Sequence, residues 1–163
     1  MRIYLAGPLG FSEAGRHFKD DVLIPALQRL GHRVVDPWSL TDPKVIAAIQ
    51  ALPLGNKRRA AWQAINPDIG RQNVMAIARS RAVVAILDGV DVDSGTAAEI
   101  GFAFAKRKLI IGYRGDFRLA SDNEGLVVNL QVEYFIRQSG GNIATDMRAL
   151  LRMVGAAEGK ARA

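Results

Sequence analysis

The most reactive combination of side chains lies in one short stretch, Asp91-Val92-Asp93-Ser94-Gly95-Thr96-Ala97-Ala98-Glu99-Ile100-Gly101. Carboxylates set around a glycine turn can act as nucleophile, as base, or as holders of a polar ligand. The stretch follows an apolar run, residues 82–87, and precedes a helix-like segment from Ala97 to Lys106. That order predicts a strand, an acidic loop and a helix start, and open α/β sheets bind small polar ligands beyond the carboxyl ends of their strands. Asp93 is then expected in the loop at that edge and Glu99 in the first turns of the helix. Free N–H groups and the macrodipole favour negative charge there, so Glu99 is expected to stay ionised near neutral pH. Spacing alone fits a plain helix start equally well, with Asp91, Asp93 and Ser94 beginning the helix and Glu99 solvated.

The elements that must position these groups alternate along the chain. Residues 2–6 read as a first strand, ended by Gly7-Pro8. A helical pattern follows over 12–30, with Phe18, Val22, Leu23, Ala26, Leu27 and Leu30 on one face. Pro25 lies inside it and predicts a break or kink. Residues 32–36 form a second strand. From Trp38 to Pro67 the pattern weakens around Pro43, Pro53 and Gly55, which predicts an insert or lid over about 38–67, with a short helix at 45–52. A helix is expected over 68–80, the strand at 82–87, a fourth strand at 109–112, a helix at 126–138, a short fifth strand at 142–144 and a last helix to about Val154. The basic tail over 156–163 is expected to be loose. Strand–helix alternation predicts a doubly wound, mostly parallel five-stranded α/β sheet with helices on both faces. No internal repeat interrupts residues 1–155, so one domain is expected.

Composition narrows the chemistry. The 163 residues suffice for one full core. With 49% hydrophobic and 23% charged residues the chain fits a soluble globular protein. It has no cysteine, which excludes disulfides, thiol catalysis and cysteine-bound metal. Two histidines far apart, His17 and His32, make a poor metal site. No apolar run approaches the roughly 20 residues that span a bilayer, and the start reads as a buried strand rather than a signal peptide, so a cytoplasmic protein is expected. The net charge of +6 comes from scattered groups such as Lys57-Arg58-Arg59, Arg79, Arg81 and Lys106-Arg107-Lys108. No recognised nucleic-acid motif accompanies them, and a solvated surface is expected rather than a polynucleotide partner. The loop after the first strand, Ala6-Gly7-Pro8-Leu9-Gly10, lacks the glycine pattern of a dinucleotide site and a phosphate-loop lysine.

Taken in order, Ile3-Tyr4-Leu5-Ala6-Gly7-Pro8, the acidic stretch from Asp93 to Gly101, Asp116-Phe117-Arg118, Asp122-Asn123-Glu124 and Asn129-Leu130 resemble the nucleoside 2-deoxyribosyltransferases. The resemblance covers most of the chain, to about Ile136. It implies a flavodoxin-like subunit that needs no metal or organic cofactor. It also implies that Glu99 is the nucleophile, attacking the anomeric carbon of a 2-deoxynucleoside to form a deoxyribosyl ester, which a second base then opens from the opposite face. Two inversions give net retention, as in a retaining glycosidase. By the same resemblance Tyr4 orients the nucleophile, and Asp93 helps hold the sugar and its 5-hydroxyl. Gly7, Pro8 and Phe11 shape the wall beside the sugar, and Asp36-Pro37-Trp38 the region of the base. Asn129 would come from a neighbouring subunit, which implies at least a homodimer with shared sites.

Two positions bear on the substrate. Related 2-deoxynucleoside 5-phosphate hydrolases carry a small hydroxyl residue where Asp93 stands. Like charges about 4 Å apart cost about 1 kcal/mol in water and several times more in a drier pocket, so Asp93 favours a nucleoside over a nucleotide. Aligned back from Arg81, Asn73 stands where well-known members carry an aspartate that supports protonation of the departing base. An amide can bind a base edge but is no general acid. Either Asn73 only positions the base, or Asp68 one turn earlier supplies the proton, or water does. The partners expected are therefore 2-deoxynucleosides and free nucleobases. Hydrolysis of the same bond is the alternative activity, and a nucleoside- or nucleotide-sensing module without turnover is the alternative from another class.

Overall fold

The computed structural model describes the backbone of residues 1–162 and the side chains of residues 1–157. Among these residues five strands form one all-parallel sheet: β1 (Arg2–Ala6), β2 (Arg33–Val35), β3 (Ala82–Ile86), β4 (Leu109–Tyr113) and β5 (Ile143–Ala144). Their order is β2-β1-β3-β4-β5, the flavodoxin-like winding, whose direction reverses between β1 and β3. Register fixes the centre: Tyr4 lies beside Val35 on one flank and Val83 on the other. β3 is buried along its whole length. Its unbroken run Ala82-Val83-Val84-Ala85-Ile86 is what a strand covered on both faces requires.

Each face of the sheet has its own apolar cluster. Tyr4, Ala6, Val83 and Ala85 point to one, where Ile77, Ile100, Val132 and Ile136 pack. Ile3, Leu5, Val84 and Ile86 point to the other, with Leu23, Leu27, Leu150 and Val154. Alternate residues of a strand point to opposite faces, so one short strand serves both clusters.

The first helical stretch is continuous in space but not uniform. α1 (Glu13–His17) is capped by Ser12, whose hydroxyl accepts from Gly15 N at 3.0 Å. A π-helical turn over Phe18–Leu23 follows, then α2 (Ile24–Arg29). The break expected at Pro25 is thus taken up as a widened turn just before the proline, and the chain stays helical through it. Within that turn Lys19 is buried, 5% exposed.

The segment 38–67 is largely helical. A 3-10 turn at Pro37–Ser39 leads to α3 (Pro43–Gln50), and α4 runs from Asn56 to Arg79. The helix expected to start at Asp68 therefore starts at Asn56, with Pro67 inside it. A proline there frees the carbonyl of Gln63, and both residues are exposed, so water can satisfy that group. α5 (Ser94–Ala105) begins where the acidic loop ends.

α6 (Leu130–Gln138) begins later than expected because the preceding amides are taken. Val127 N and Val128 N both donate to Glu133 Oε2, at 2.7 and 3.4 Å. Asn129 then caps α6, its Oδ1 accepting from Gln131 N at 3.1 Å and Val132 N at 3.3 Å. α7 is Met147–Arg162. Of the tail expected to be loose, Ala156 and Ala157 continue this helix, with Ala157 against the second cluster; the side chains of 158–163 lie outside the described residues. Among the described residues no helix is long and apolar enough to cross a membrane.

Candidate active site

The carboxyl edge of the sheet at the β1/β3 reversal carries a cavity of about 270 Å³. Gly7 and Phe11 reach it from the loop after β1, Pro37 and Trp38 from the turn after β2, Ile69 and Asn73 from α4, and Asp93, Gly95, Thr96 and Glu99 from the start of α5. Its size lies near the lower end for small-molecule sites. A larger cavity, about 350 Å³, lies against β4 and α7 and is lined by residues such as Leu109, Ile111 and Met153 without an ionisable side chain. Only the smaller one combines an aromatic wall, an amide and two carboxylates.

Local chemistry builds the acidic side. Asp93 is the N-cap of α5: its Oδ2 accepts from Thr96 N at 2.9 Å and from Thr96 Oγ1 at 3.0 Å. Asp93 is thus a plain helix start, but Glu99 is half-buried rather than on the open surface. It points inward, where the Tyr4 hydroxyl donates to Glu99 Oε1 at 2.5 Å. Tyr4 is fully buried on β1, 95 positions away in sequence.

Burial pushes the Glu99 carboxyl up to about 7; the Tyr4 hydrogen bond opposes that rise and the charge of Asp93 adds to it. The ionisation expected near neutral pH is thus shifted toward the protonated form. A helix start supplies a favourable dipole, but desolvation of the half-buried carboxyl outweighs it together with the Tyr4 hydrogen bond. Burial, and then the facing carboxylate, hold the Tyr4 phenol far above its usual range, so Tyr4 remains a donor.

The aromatic wall is fixed from behind. Asp36 Oδ1 accepts from Trp38 N at 3.1 Å, and buried Lys19 donates to Asp36 Oδ2 at 2.6 Å and also to Asp20. Burial alone would lower the Lys19 pKa, but the bonds to Asp20 and Asp36 outweigh it and keep the ammonium charged. The Trp38 indole lies against Gly10, where an added Cβ would stand 2.1 Å from the ring. Trp38 meets Phe11 edge-on at 4.6 Å between ring centres, and its Nε1 donates to Gly7 O at 3.4 Å. Both rings stay open to solvent, Phe11 at 73% and Trp38 at 43%. On the far side of the acidic loop, buried Arg114 donates to the carbonyls of Leu87 at 2.5 Å, Gly89 at 3.2 Å and Arg118 at 2.7 Å. This ties residues 87–89, which lead into Asp93, to the loop after β4.

The structure gathers Glu99, Asp93, Gly7, Phe11, Trp38 and Asn73 around the cavity, with Tyr4 bonded to Glu99 beneath it. Three expected residues are not among them. Pro8 begins the 3-10 turn after β1. Asp68 is exposed and bonded to Arg71 Nη2 at 2.5 Å, because on α4 it faces away from the side that carries Ile69 and Asn73. Asn129 caps α6 and does not line the cavity of its own chain. Ile69 was missed, although it lies one helical turn from Asn73 and so shares its face. Thr96 and Gly95 were also missed; an Asp-x-x-Thr cap at 93–96 was the available signal. Asp116 and Arg118 form an exposed pair, and Arg118 holds the Asp116 carboxyl well below its usual range.

The chain resembles solved proteins of this architecture. A conserved protein from Enterococcus faecalis superposes with a TM-score of 0.69 at 22% identity, over 96% of this chain and 98% of that one. A 2-desoxiribosyltransferase from Leishmania mexicana superposes at 0.63 with 20% identity, over 95% and 97%. A CMP N-glycosidase from Clostridium botulinum does so at 0.54 with 20% identity, over 96% and 99%. At these identities the likeness is one of fold. No curated protein matches the sequence. The model of the nucleoside 2-deoxyribosyltransferase family matches residues 3–131, from β1 through the cap of α6. By that match the chain belongs to the nucleoside 2-deoxyribosyltransferase family.

Proposed function

We propose that the protein cleaves the N-glycosidic bond of 2-deoxynucleosides and transfers the deoxyribosyl group to another base. The observation that carries this reading is the hydrogen bond from buried Tyr4 to Glu99, a part-buried carboxylate that lines the cavity. Ionised Glu99 attacks the anomeric carbon, the bond to the base breaks, and a deoxyribosyl ester of Glu99 forms. A second base attacks the same carbon from the other face, gives up its ring N–H proton to water, and frees the carboxylate. The sugar becomes oxocarbenium-like along the way, and adjacent negative charge stabilises it. Tyr4 holds one carboxylate oxygen and leaves the other for attack.

Asp93 spends one oxygen, Oδ2, on capping α5, and its other oxygen accepts from the sugar's 5-hydroxyl. Two carboxylates line the cavity and no cation does among the described residues, which favours a neutral nucleoside over a nucleotide. Trp38, Phe11, Ile69 and Asn73 receive the base. Asn129 completes the site from a second copy of the chain, so the active form is at least a dimer. Segment 38–67 covers the base end through Trp38.

Hydrolysis of the same ester is the second reading, favoured by the exposure of Phe11 and Trp38 at the mouth, where water has access. Incubation with a 2-deoxynucleoside and a different free base tests both. An exchanged nucleoside is the expected product. Free base and deoxyribose alone would assign a hydrolase, and binding without product would leave a sensing module.

A further inference from the structure

The polar groups around the cavity fall into two sets. On the α5 side the Thr96 hydroxyl is spent on Asp93 and the Tyr4 proton on Glu99. In the wall, the Trp38 indole N–H is turned to Gly7 O. On the α4 side stands Asn73, with Ile69 one turn before it. Its amide makes no hydrogen bond among the described residues, and its Oδ1 is buried without a partner. An unpaired buried amide oxygen has lost its water without a replacement, so such groups call for an explanation. A ligand that supplies the missing bond is one. An amide presents donor and acceptor side by side, which matches a nucleobase edge with an N–H next to a ring nitrogen or carbonyl.

What the amide lacks is a proton to give away. Asp68, the carboxylate nearest in sequence on α4, is exposed and held by Arg71. His17 is exposed and paired with Asp21. Glu99 is the attacking group, and Asp93 is the cap of α5.

Resting on the glycosidic chemistry proposed above, we infer that the base departs as an anion hydrogen-bonded by Asn73, without protonation by the protein. A Glu99 oxygen forms its bond to the anomeric carbon, the carbon–nitrogen bond breaks, and its electron pair leaves with the base. Asn73 Nδ2 donates to a ring nitrogen or carbonyl of that anion, and Oδ1 accepts from its N–H. The anion takes its proton from water on release. Selection among substrates then follows the acidity of the base: the better a base carries the negative charge, the faster it leaves.

The test is the rate of base release in a single turnover of the wild-type protein. The probes are 2-deoxynucleosides whose bases keep an N–H edge but differ in acidity at the glycosidic nitrogen. Departure as an anion predicts roughly three- to tenfold faster release per unit of increased acidity. The Asn73→Asp variant, which gains a carboxyl able to protonate the base, flattens this to less than about twofold per unit and loses activity as pH rises. The wild-type series decides the matter even if that variant does not fold. Wild-type release indifferent to base acidity would overturn the inference and leave glycosidic cleavage standing. Absence of cleavage across the whole series would remove the glycosidic reading, and the inference with it.

Discussion

Glu99 and Tyr4 set the behaviour of the site at the scale of single residues. Because burial raises the Glu99 carboxyl to about 7, the folded protein holds that proton more tightly than the unfolded chain, where the value is 4.5. Between those values the native state binds more protons, so this group's contribution to stability falls as pH rises from 4.5 to 7. Above 7 the full cost is present, at most about 3 kcal/mol. Glu99→Gln removes it: the variant is expected to melt higher than wild type at pH 8 and nearly equal at pH 4.5, while losing at least about a thousandfold in turnover. Thermal unfolding at the two pH values, beside the exchange rate, checks both halves. If Glu99 is the nucleophile it must be ionised, so wild-type kcat/KM should rise with pH and level off above about 7. Tyr4→Phe deletes a bond that favours the charged carboxyl. Its rising limb should move to higher pH, with a roughly tenfold lower rate at pH 6; an unmoved limb in the pH profile would remove Tyr4 from the mechanism. Glu99 was legible in the sequence within the acidic stretch, whereas Tyr4 was implied by the family resemblance and Asn73 by alignment back from Arg81. The ionisation of Glu99 was not legible, because it depends on how much water the packed sheet removes, which no local spacing states.

At the scale of elements, Asp93 has two duties that substitutions can separate. Asp93→Asn keeps an oxygen to cap α5 but removes a charge that raises Glu99. Its unfolding midpoint should stay within about 0.5 kcal/mol of wild type, while the acidic limb of its rate shifts to lower pH. Asp93→Ala should lose about 1 kcal/mol of stability as well. Denaturant unfolding and the pH profile, measured on both variants, distinguish cap from charge. The strands and the start of α5 were readable because buried apolar runs and an Asp-x-x-Thr cap are local signals. The start of α4 was not, since Pro67 reads as a boundary and is tolerated only because that half of the helix faces water. The start of α6 at Leu130 was equally hidden, as it depends on Glu133 reaching back to Val127 and Val128. Lys19 gave no signal either: it reads as one more surface lysine until the π turn carries it inward to Asp36.

For the whole molecule, the winding order brings β1 and β3 together, so that Tyr4 and Glu99 meet across 95 positions. Alternation of strands and helices predicted a mostly parallel sheet with helices on both faces, and the flavodoxin-like order itself was implied only by the family resemblance. Asn129 does not line the cavity of its own chain. If a second copy supplies it, Glu99→Gln and Asn129→Ala lie in different chains of one site. Each variant alone should be nearly inactive, and mixing them should restore up to about a quarter of wild-type activity through sites that draw intact residues from both. A mixture no more active than its parts, with dimers shown by sedimentation, would place Asn129 outside the shared site.

The central claim is that Glu99 carries the sugar between bases. Acid quenching of the protein with a 2-deoxynucleoside and no acceptor base, followed by mass spectrometry of its peptides, tests it most directly. The account predicts one added deoxyribosyl group on the peptide that contains Glu99, gone when an acceptor base is supplied before the quench. Rapid base exchange with no adduct on that peptide, or with the adduct on another residue, would contradict it.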